Sequence, residues 1–415
     1  MNLQGLQKKY PEFIYEKYSH KFSSNNLEIF FDFKIPPDIK FKPKIIIKNV
    51  NNNRLKKVGE RGLNNLIFHL GLIEIPSYWK ATCSPKLTIK AGYLNREQIN
   101  WWKDLIIKGM GQYFYENRID FTKPDFLTII SAGTAPFFRF EGELQEKYLV
   151  PMGGGRDSIV TFEELRKKNR KINCFLVNPS SAAKKVIETA GVKNSIIVER
   201  KIDPVLLKLN KKGFLNGHTP FTALLSFLSV FCAILFDYKN IAFSNEKSAD
   251  EGNVKYLGKI INHQWSKSSE FERKFKYYCK KYLSQNINYF SYLRSRTELE
   301  ISKTFTKYPQ YFSVFSSCNI GQKTGERWCG NCPKCLFIYA TLYPFLEKKQ
   351  FLKIFGKDLF ENKKLVPVMK ALIGQGKAKP FECVGTFKES RLAFNFGLQK
   401  ARRTGKIPYL LTKLK

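Results

Sequence analysis

The chain has 415 residues, more than one ordinary hydrophobic core accommodates, so two or three domains are expected. Hydrophobic residues make up 43% of it, with 36 Phe and 20 Tyr, and this content excludes a wholly disordered chain. The 71 Lys and Arg outnumber the 35 Asp and Glu, which gives a net charge of +36. This surplus favours anionic ligands such as nucleotides or nucleic acids, although Lys dispersed along a chain can equally be generic.

Three features bear on where the protein works. Residues 1–26 lack the apolar core of a signal peptide. The most apolar run, residues 221–236, is shorter than the roughly 20 residues of a membrane-spanning helix, so we interpret it as a buried helix. The nine cysteines are odd in number and four are clustered, which favours thiols and a metal over a disulfide framework. We therefore expect a cytoplasmic protein without a membrane span.

Residues 1–145 are predicted to form a mixed α/β N-terminal domain. Strand-like runs cover residues 27–33, 44–50 and 87–91, and prolines separate the first two. A helix is predicted over residues 95–115, with Asn95 as its N-cap. This part of the chain contains no chemical motif.

Strands and helices alternate from residue 146 onwards. Strands are predicted at 148–152, 172–177, 195–198 and 240–243, and helices at 158–168, 182–190 and 221–236. Such alternation predicts a parallel sheet with right-handed crossovers, in which ligands bind beyond the carboxyl ends of the strands. We assign residues 146–310 to this domain and residues 311–415 to a Cys-rich, helical C-terminal region.

A glycine-rich turn joins the first of these strands to its helix. It reads Gly153, Gly154, Gly155, Arg156, Asp157 and Ser158. The glycines let the backbone approach a ligand, and successive N–H groups at a helix N-terminus bind phosphate. The arginine can neutralise a departing pyrophosphate, the aspartate can cap the helix or hold Mg²⁺, and the serine offers a hydroxyl. The alternative is a plain connector capped by the aspartate.

The turn is not a Walker loop, because it lacks the Gly-Lys-Ser/Thr ending. It resembles the Ser-Gly-Gly-x-Asp-Ser turn of PP-loop ATP pyrophosphatases, which cleave ATP between the α- and β-phosphates. Gly153 stands where that turn has its first Ser, so one phosphate-binding hydroxyl is missing.

Four cysteines, Cys318, Cys329, Cys332 and Cys335, form a second motif. A closely spaced triplet supplies three thiolates from one turn and a more distant cysteine closes a tetrahedron, which favours Zn²⁺. An iron–sulfur cluster and a redox cysteine pair are the alternatives. A site closed by four thiolates has no open position, so its predicted role is in folding.

Further polar side chains follow the predicted strands or lie in the downstream loops. The candidates are Asn178, Asn216, His218, Asn245, Glu246, Asp250, His263, Lys267, Arg294 and Cys383. Asn178 and the Asn245–Glu246 pair come directly after strands, where the sheet opens. A structural role is the alternative for each, above all for Arg294, since arginines on a basic surface are usually solvated.

Taken together, these motifs resemble the UDP-N-acetylmuramoyl-L-alanyl-L-glutamate epimerases, a family of the PP-loop superfamily. The matching segments are residues 151–158, 216–218, 244–249, 262–264, 317–319, 328–335 and 382–386, about the last two thirds of the chain. Arg156 stands where the family is expected to have Lys. The resemblance implies a PP-loop sheet and an ATP- and Mg²⁺-dependent inversion of the terminal L-glutamate to D-glutamate. It also implies that the reaction releases AMP and pyrophosphate and serves peptidoglycan precursor synthesis.

The resemblance also implies roles for the residues already named. Residues 153–158 and Asn178 would bind ATP, and His218, His263 and Cys383 would be the acid/base candidates. Contacts to substrate or Mg²⁺ would come from Asn216, Asn245, Glu246, Asp250, Lys267 and Arg294. Two rival hypotheses remain. One is a PP-loop enzyme that adenylates a tRNA base, which the basic charge favours. The other is a non-catalytic nucleotide- or nucleic-acid-binding protein.

Overall fold

A computed structural model of the protein describes residues 2–133, 138–376 and 378–414. The strands are β1 (Glu12–Ser23), β2 (Asn26–Ile35), β3 (Ile39–Phe41), β4 (Lys44–Ile47), β5 (Lys86–Ile89), β6 (Thr128–Ser131), β7 (Tyr148–Pro151), β8 (Ile172–Val177), β9 (Ile196–Lys201), β10 (Asn240–Phe243), β11 (Val254–Tyr256), β12 (Lys259–Ile261) and β13 (Asn288–Ser291). The α-helices are α1 (Leu3–Lys9), α2 (Asn52–Trp79), α3 (Arg96–Gly109), α4 (Gly111–Glu116), α5 (Arg156–Lys167), α6 (Ser181–Thr189), α7 (Pro204–Lys211), α8 (Phe221–Phe236), α9 (Ser269–Tyr278), α10 (Glu298–Phe305), α11 (Asn319–Thr324), α12 (Pro333–Leu342), α13 (Lys348–Phe355), α14 (Val366–Leu372) and α15 (Phe387–Arg403).

One eleven-stranded sheet runs through the described part of the chain. Its order is β13-β10-β7-β8-β9-β4-β2-β1-β5-β6, with β3 paired to β2. The strands β13, β10, β7, β8 and β9 are mutually parallel, which confirms the predicted parallel α/β sheet. The carboxyl ends of these strands therefore meet at one edge.

The N-terminal strands continue this sheet rather than forming a separate one. Strand β4 pairs antiparallel with β9, with Ile47 opposite Val198 and Lys44 opposite Lys201. The pairing crosses the boundary that we placed after residue 145. The three-segment division stays a prediction, since strand pairing alone does not define folding units.

Two hydrophobic cores flank the parallel strands. One extends from Phe13 through Leu149 to Tyr289 and contains the apolar faces of α2 and α8. The other joins Met152 and Ile159, at the start of α5, to the helices of the C-terminal region. Helix α8 is buried on nearly all sides, as its uniformly apolar sequence predicts. The glycine turn, between Met152 and Ile159, adjoins the second core.

Some elements follow the sequence pattern closely and others do not. The predicted bounds of β8, α8 and β10 are those observed. Strand β1 and helix α2 were not predicted, and the helix predicted over residues 95–115 is divided at Met110 into α3 and α4. Within α2, Gly59 has non-helical φ and ψ of 74° and 156°, and Pro76 lies inside the helix. Gly and Pro are typical of turns and loops, so the two residues explain why the sequence pattern did not predict this helix.

None of the helices in the described ranges combines the length and hydropathy that a membrane-spanning segment requires.

Candidate active site

A cleft of about 300 Å³ opens at the carboxyl ends of the parallel strands, where the sequence predicted a ligand site. Strands β7, β8 and β10, helix α8 and the loop before α11 form its walls. The polar side chains that line it belong to Asp157, Ser158, Thr222, Ser244, Asn245, Lys267, Ser316, Ser317, Asn319, Gln322 and Lys334. The cleft therefore combines the glycine turn with residues of the Cys-rich region.

The glycine turn is held closely on two sides. Gly154 has φ +81°, and a Cβ at this position would lie 2.7 Å from the backbone nitrogen of Ala183. A Cβ on Gly155 would lie 2.8 Å from the Ser317 hydroxyl, and the Ser316 N–H donates to the Gly154 carbonyl at 3.0 Å. Gly154 thus requires glycine, whereas a side chain on Gly155 would only displace the Ser317 hydroxyl. Gly153 has open space around it.

Arg156 points away from the cleft that it was expected to serve. Its side chain is 1% exposed and forms an ion pair with Glu298. It also donates to the hydroxyls of Ser302 at 2.7 Å and Thr341 at 3.2 Å, and its Nε donates to Asp157 at 2.8 Å. These contacts favour a role for Arg156 in holding Asp157 at the cleft rather than in contacting phosphate.

Cys383, Lys267 and His263 form a compact cluster. The Lys267 ammonium donates to Cys383 Sγ at 3.2 Å, and His263 Nε2 lies 4.0 Å from the same sulfur. Burial alone would raise the pKa of Cys383, but the cations of Lys267 and Lys334 outweigh it and lower this pKa. The reverse effect, attraction by Cys383 and Glu246 despite burial, raises the pKa of Lys267. The protonated Lys267 therefore favours ionisation of the Cys383 thiol.

The two histidine candidates lie next to each other. The ring centroids of His218 and His263 are 6.0 Å apart. Burial lowers the pKa of His263 to about 3, and Lys267 adds to this effect. Burial and the neighbouring His263 lower the pKa of His218 to about 4. His218 Nδ1 is buried without a hydrogen-bond partner among the described residues. Both imidazoles are therefore neutral near pH 7.

One carboxylate lines the cleft, and a second is buried next to a residue that lines it. Asp157 lines it, and Glu246 is 4% exposed beside it. Burial raises the pKa of Glu246; Lys267 opposes this and the charge of Asp157 adds to it. Asn245 also lines the cleft and donates to the Ser291 hydroxyl at 3.0 Å. Two carboxylates that repel each other fit a site for a divalent cation such as Mg²⁺.

Arg294 lies behind this site and braces it. Its guanidinium donates to the Glu246 carbonyl at 3.0 Å, the Lys267 carbonyl at 2.7 Å and the Glu272 carboxylate at 2.9 Å. Because Arg294 contacts the backbone carbonyls of Glu246 and Lys267, it is better suited to position these residues than to make the direct contact with substrate that we expected.

Three other candidates make local structural contacts. Asp250 accepts from the Ser269 N–H at 2.6 Å, near the start of α9. Asn178 bridges β8 and β9 through the Arg200 backbone, accepting at 2.8 Å and donating at 2.7 Å. Asn216 is exposed and accepts from the Gly217 N–H at 2.9 Å. None of the three is among the described residues that line the cleft.

Cys318, Cys329, Cys332 and Cys335 are brought together as the sequence predicts. Their sulfur atoms lie within 4.8 Å of one another, with 3.9 Å between Cys318 and Cys332 and 3.8 Å between Cys329 and Cys335. Zinc–sulfur bonds of about 2.3 Å in a tetrahedron place sulfurs about 3.8 Å apart. The cluster could thus hold a metal ion such as zinc.

Sequence reasoning missed two lysines that act on the candidate acid/base residues. Lys334, between two cysteines of the cluster, lines the cleft and lowers the pKa of Cys383. Lys80, just after α2, donates to the Gly217 carbonyl at 3.0 Å and adds to the lowering of the His218 pKa. The position of Lys334 between two cysteines of the metal motif could have indicated its role, whereas no sequence feature marks Lys80.

A family model described as the MurL N-terminal domain matches residues 5–292, and one described as the MurL C-terminal domain matches residues 314–410. The UDP-N-acetyl-alpha-D-muramoyl-L-alanyl-L-glutamate epimerase of Micromonospora sp. is 36% identical over 77% of this chain and 71% of its own length. Proteins of the same name from Salinispora tropica and Xanthomonas oryzae pv. oryzae are both 33% identical. They match 80% and 78% of this chain and 73% and 72% of their own lengths. The resemblance inferred from the motifs is confirmed, and the chain belongs to the UDP-N-acetyl-alpha-D-muramoyl-L-alanyl-L-glutamate epimerase family.

Proposed function

We propose that this protein inverts the terminal L-glutamate of UDP-N-acetylmuramoyl-L-alanyl-L-glutamate in peptidoglycan precursor synthesis, with cleavage of ATP to AMP and pyrophosphate. One observation carries the proposal beyond family membership. Lys267 lines the same cleft as the glycine turn and donates to Cys383 Sγ at 3.2 Å. Lys267 therefore connects the glycine turn, which could bind phosphate, to the Cys383 thiol, which can exchange protons.

The chemistry needs both sites. A proton next to a carboxylate is very weakly acidic, since its removal would leave two negative charges on neighbouring atoms. Adenylation removes the carboxylate charge and creates an ester-like carbonyl, after which a side chain of ordinary basicity can take the proton. Return of a proton from the opposite face gives the D-glutamyl product, and hydrolysis of the adenylate releases AMP.

The residues of the cleft fit these requirements. The backbone around Gly153 to Gly155 and the N-terminus of α5 offer N–H groups to phosphate. Asp157 and Glu246 would hold Mg²⁺, which would supply positive charge for the pyrophosphate leaving group. Lys267 remains protonated and can balance the same anionic groups.

The acid/base pair is proposed to come from Cys383, His263 and His218. Inversion needs one group on each face of the α-carbon, and two neutral imidazoles beside an ionisable thiol can supply them. His218 is the favoured partner on the face opposite Cys383, because its Nδ1 has no hydrogen bond to a described residue.

The test is incubation of the purified protein with ATP, Mg²⁺ and UDP-N-acetylmuramoyl-L-alanyl-L-glutamate, followed by assays of AMP and of glutamate chirality. We expect AMP and D-glutamate in equal amounts, and about 100-fold or greater loss of inversion in Cys383→Ala. Lys307→Gln, which changes an exposed lysine outside the cleft and the matching segments, is the control. AMP without inversion would redirect the substrate search to tRNA. If neither AMP nor D-glutamate were formed, the result would favour a non-catalytic binding protein.

A further inference from the structure

Asn253 lies just before the β11–β12 hairpin and is 6% exposed. Its Oδ1 accepts from the backbone N–H of His263 at 3.0 Å and lies 3.1 Å from His263 Nδ1. Its Nδ2 donates to the Pro380 carbonyl at 2.8 Å, and its own carbonyl accepts from the Lys379 N–H at 3.2 Å. One side chain therefore ties the loop that carries His263 to the segment that leads to Cys383.

The orientation of the Asn253 amide follows from its partners. A backbone N–H requires an acceptor and a backbone carbonyl requires a donor, so Oδ1 must face His263 and Nδ2 must face Pro380. The same oxygen then accepts from His263 Nδ1, which must carry the ring proton. The other ring nitrogen, Nε2, is consequently unprotonated and faces Cys383 Sγ at 4.0 Å.

We propose that Asn253 is a positioning residue that fixes His263 in its Nδ1–H tautomer and sets the distance between His263 and Cys383. This inference rests on the proposed function only for what the pair does. With Nε2 as a free acceptor, His263 can accept a hydrogen bond from a protonated Cys383 thiol or receive the α-proton of the substrate. With the opposite tautomer an N–H would point at the sulfur, and the imidazole would have no acceptor on that side.

The tautomer can be measured directly. The chain has only four histidines, so a sample labelled with ¹⁵N-histidine gives few signals, and His263→Gln identifies those of His263. An imidazole in water favours the Nε2–H form, and the hydrogen bond of the other nitrogen decides which form a protein holds. We expect the Nδ1–H pattern for His263 in the wild type and its loss in Asn253→Ala.

Activity provides the second measurement. We expect Asn253→Ala to lower kcat by about 10- to 100-fold with little change in KM for ATP, because the wrong tautomer impairs proton transfer. Asn253→Asp keeps the acceptor, so it should retain the Nδ1–H pattern and recover part of kcat. Asn286→Ala is the control, since the Asn286 side chain also joins its own segment to one distant in the chain, donating to the Glu141 and Gly142 carbonyls at 3.0 and 3.1 Å.

An Nε2–H pattern in wild-type His263 would overturn the proposal, as would a kcat of Asn253→Ala within about twofold of that of Asn286→Ala. If Asn253→Ala failed to fold, the wild-type tautomer and the Asp variant would decide. If the wild type catalysed no inversion, the proposed function would fail, whereas the tautomer measurement would still decide the role of Asn253.

Discussion

The ionisation of Cys383 depends on a lysine rather than on an imidazolium. Many reactive cysteines pair with a protonated histidine, but here the pKa of His263 is lowered to about 3. The cation that contacts the sulfur is Lys267, whose own pKa is raised. The Lys267 cation therefore favours the thiolate form of Cys383, and His263 stays neutral beside it.

Removal of Lys267 tests this arrangement. In Lys267→Gln the cation that lowers the pKa of Cys383 is lost while burial remains, so this pKa should rise. When the pH is below the pKa of a thiol, a rise of about one in that pKa lowers the thiolate fraction about tenfold. Only the thiolate is alkylated rapidly. We expect about tenfold slower alkylation of Cys383 by iodoacetamide at pH 7, with the rate recovering as the pH is raised. Peptide mass spectrometry provides the measurement.

Lys307→Gln provides the comparison for this experiment, because Lys307 is exposed and outside the cleft and its loss changes the net charge equally. An unchanged pH profile of alkylation in Lys267→Gln would show that Lys267 does not set the pKa of Cys383.

At the scale of elements, the connection between β7 and α5 depends on one glycine more than on its neighbours. Gly154→Ala places a Cβ 2.7 Å from the Ala183 nitrogen at φ +81°. We expect it to lower the free energy of unfolding by about 1–3 kcal/mol and to weaken ATP binding. Gly153→Ala has open space and should be nearly neutral for stability. Thermal unfolding with and without ATP measures both, and equal effects of the two variants would contradict this account.

The sequence predicts elements best where their environment is uniform. Strand β10 and helix α8 are buried along most of their length and β8 is buried at three central positions, so each is visible in the sequence as a continuous apolar run. Strand β1 was not predicted because its second half alternates half-buried with exposed positions and carries charged residues there. The β4–β9 pairing joins residues about 150 positions apart, and nothing local in either segment indicates it.

The candidate site divides in the same way. The glycine turn and the cysteines were predictable because their spacing in the chain matches their geometry in space. Asn253 was not, since its role depends on meeting Pro380, 127 residues away. Arg156 was assigned to phosphate from its place in the motif, but burial beside Glu298 depends on α10, which the motif does not describe.

At the scale of the whole molecule, the cleft lies where the parallel sheet meets the C-terminal core. Ser316 and Ser317, directly before Cys318, contact Gly154 and Gly155, and Lys334, within the cysteine cluster, lines the cleft. The cluster therefore supports one wall of the candidate active site as well as the core in which it lies. A metal that closes the cluster would stabilise both.

Cys335→Ala tests this coupling against Cys174→Ala. Both cysteines have 0% exposure and belong to the same core, so the two variants leave similar cavities, but only one removes a metal ligand. Structural metal binding contributes folding free energy. We expect Cys335→Ala to lose bound metal and more than about 4 kcal/mol of stability, whereas Cys174→Ala should keep its metal. Metal content by mass spectrometry and thermal unfolding provide the measurements.

Because Cys318 and Lys334 connect the cluster to the cleft, ATP binding should weaken in Cys335→Ala beyond what unfolding explains. Equal ATP affinities in the folded fractions of the two variants would restrict the cluster to a role in the core.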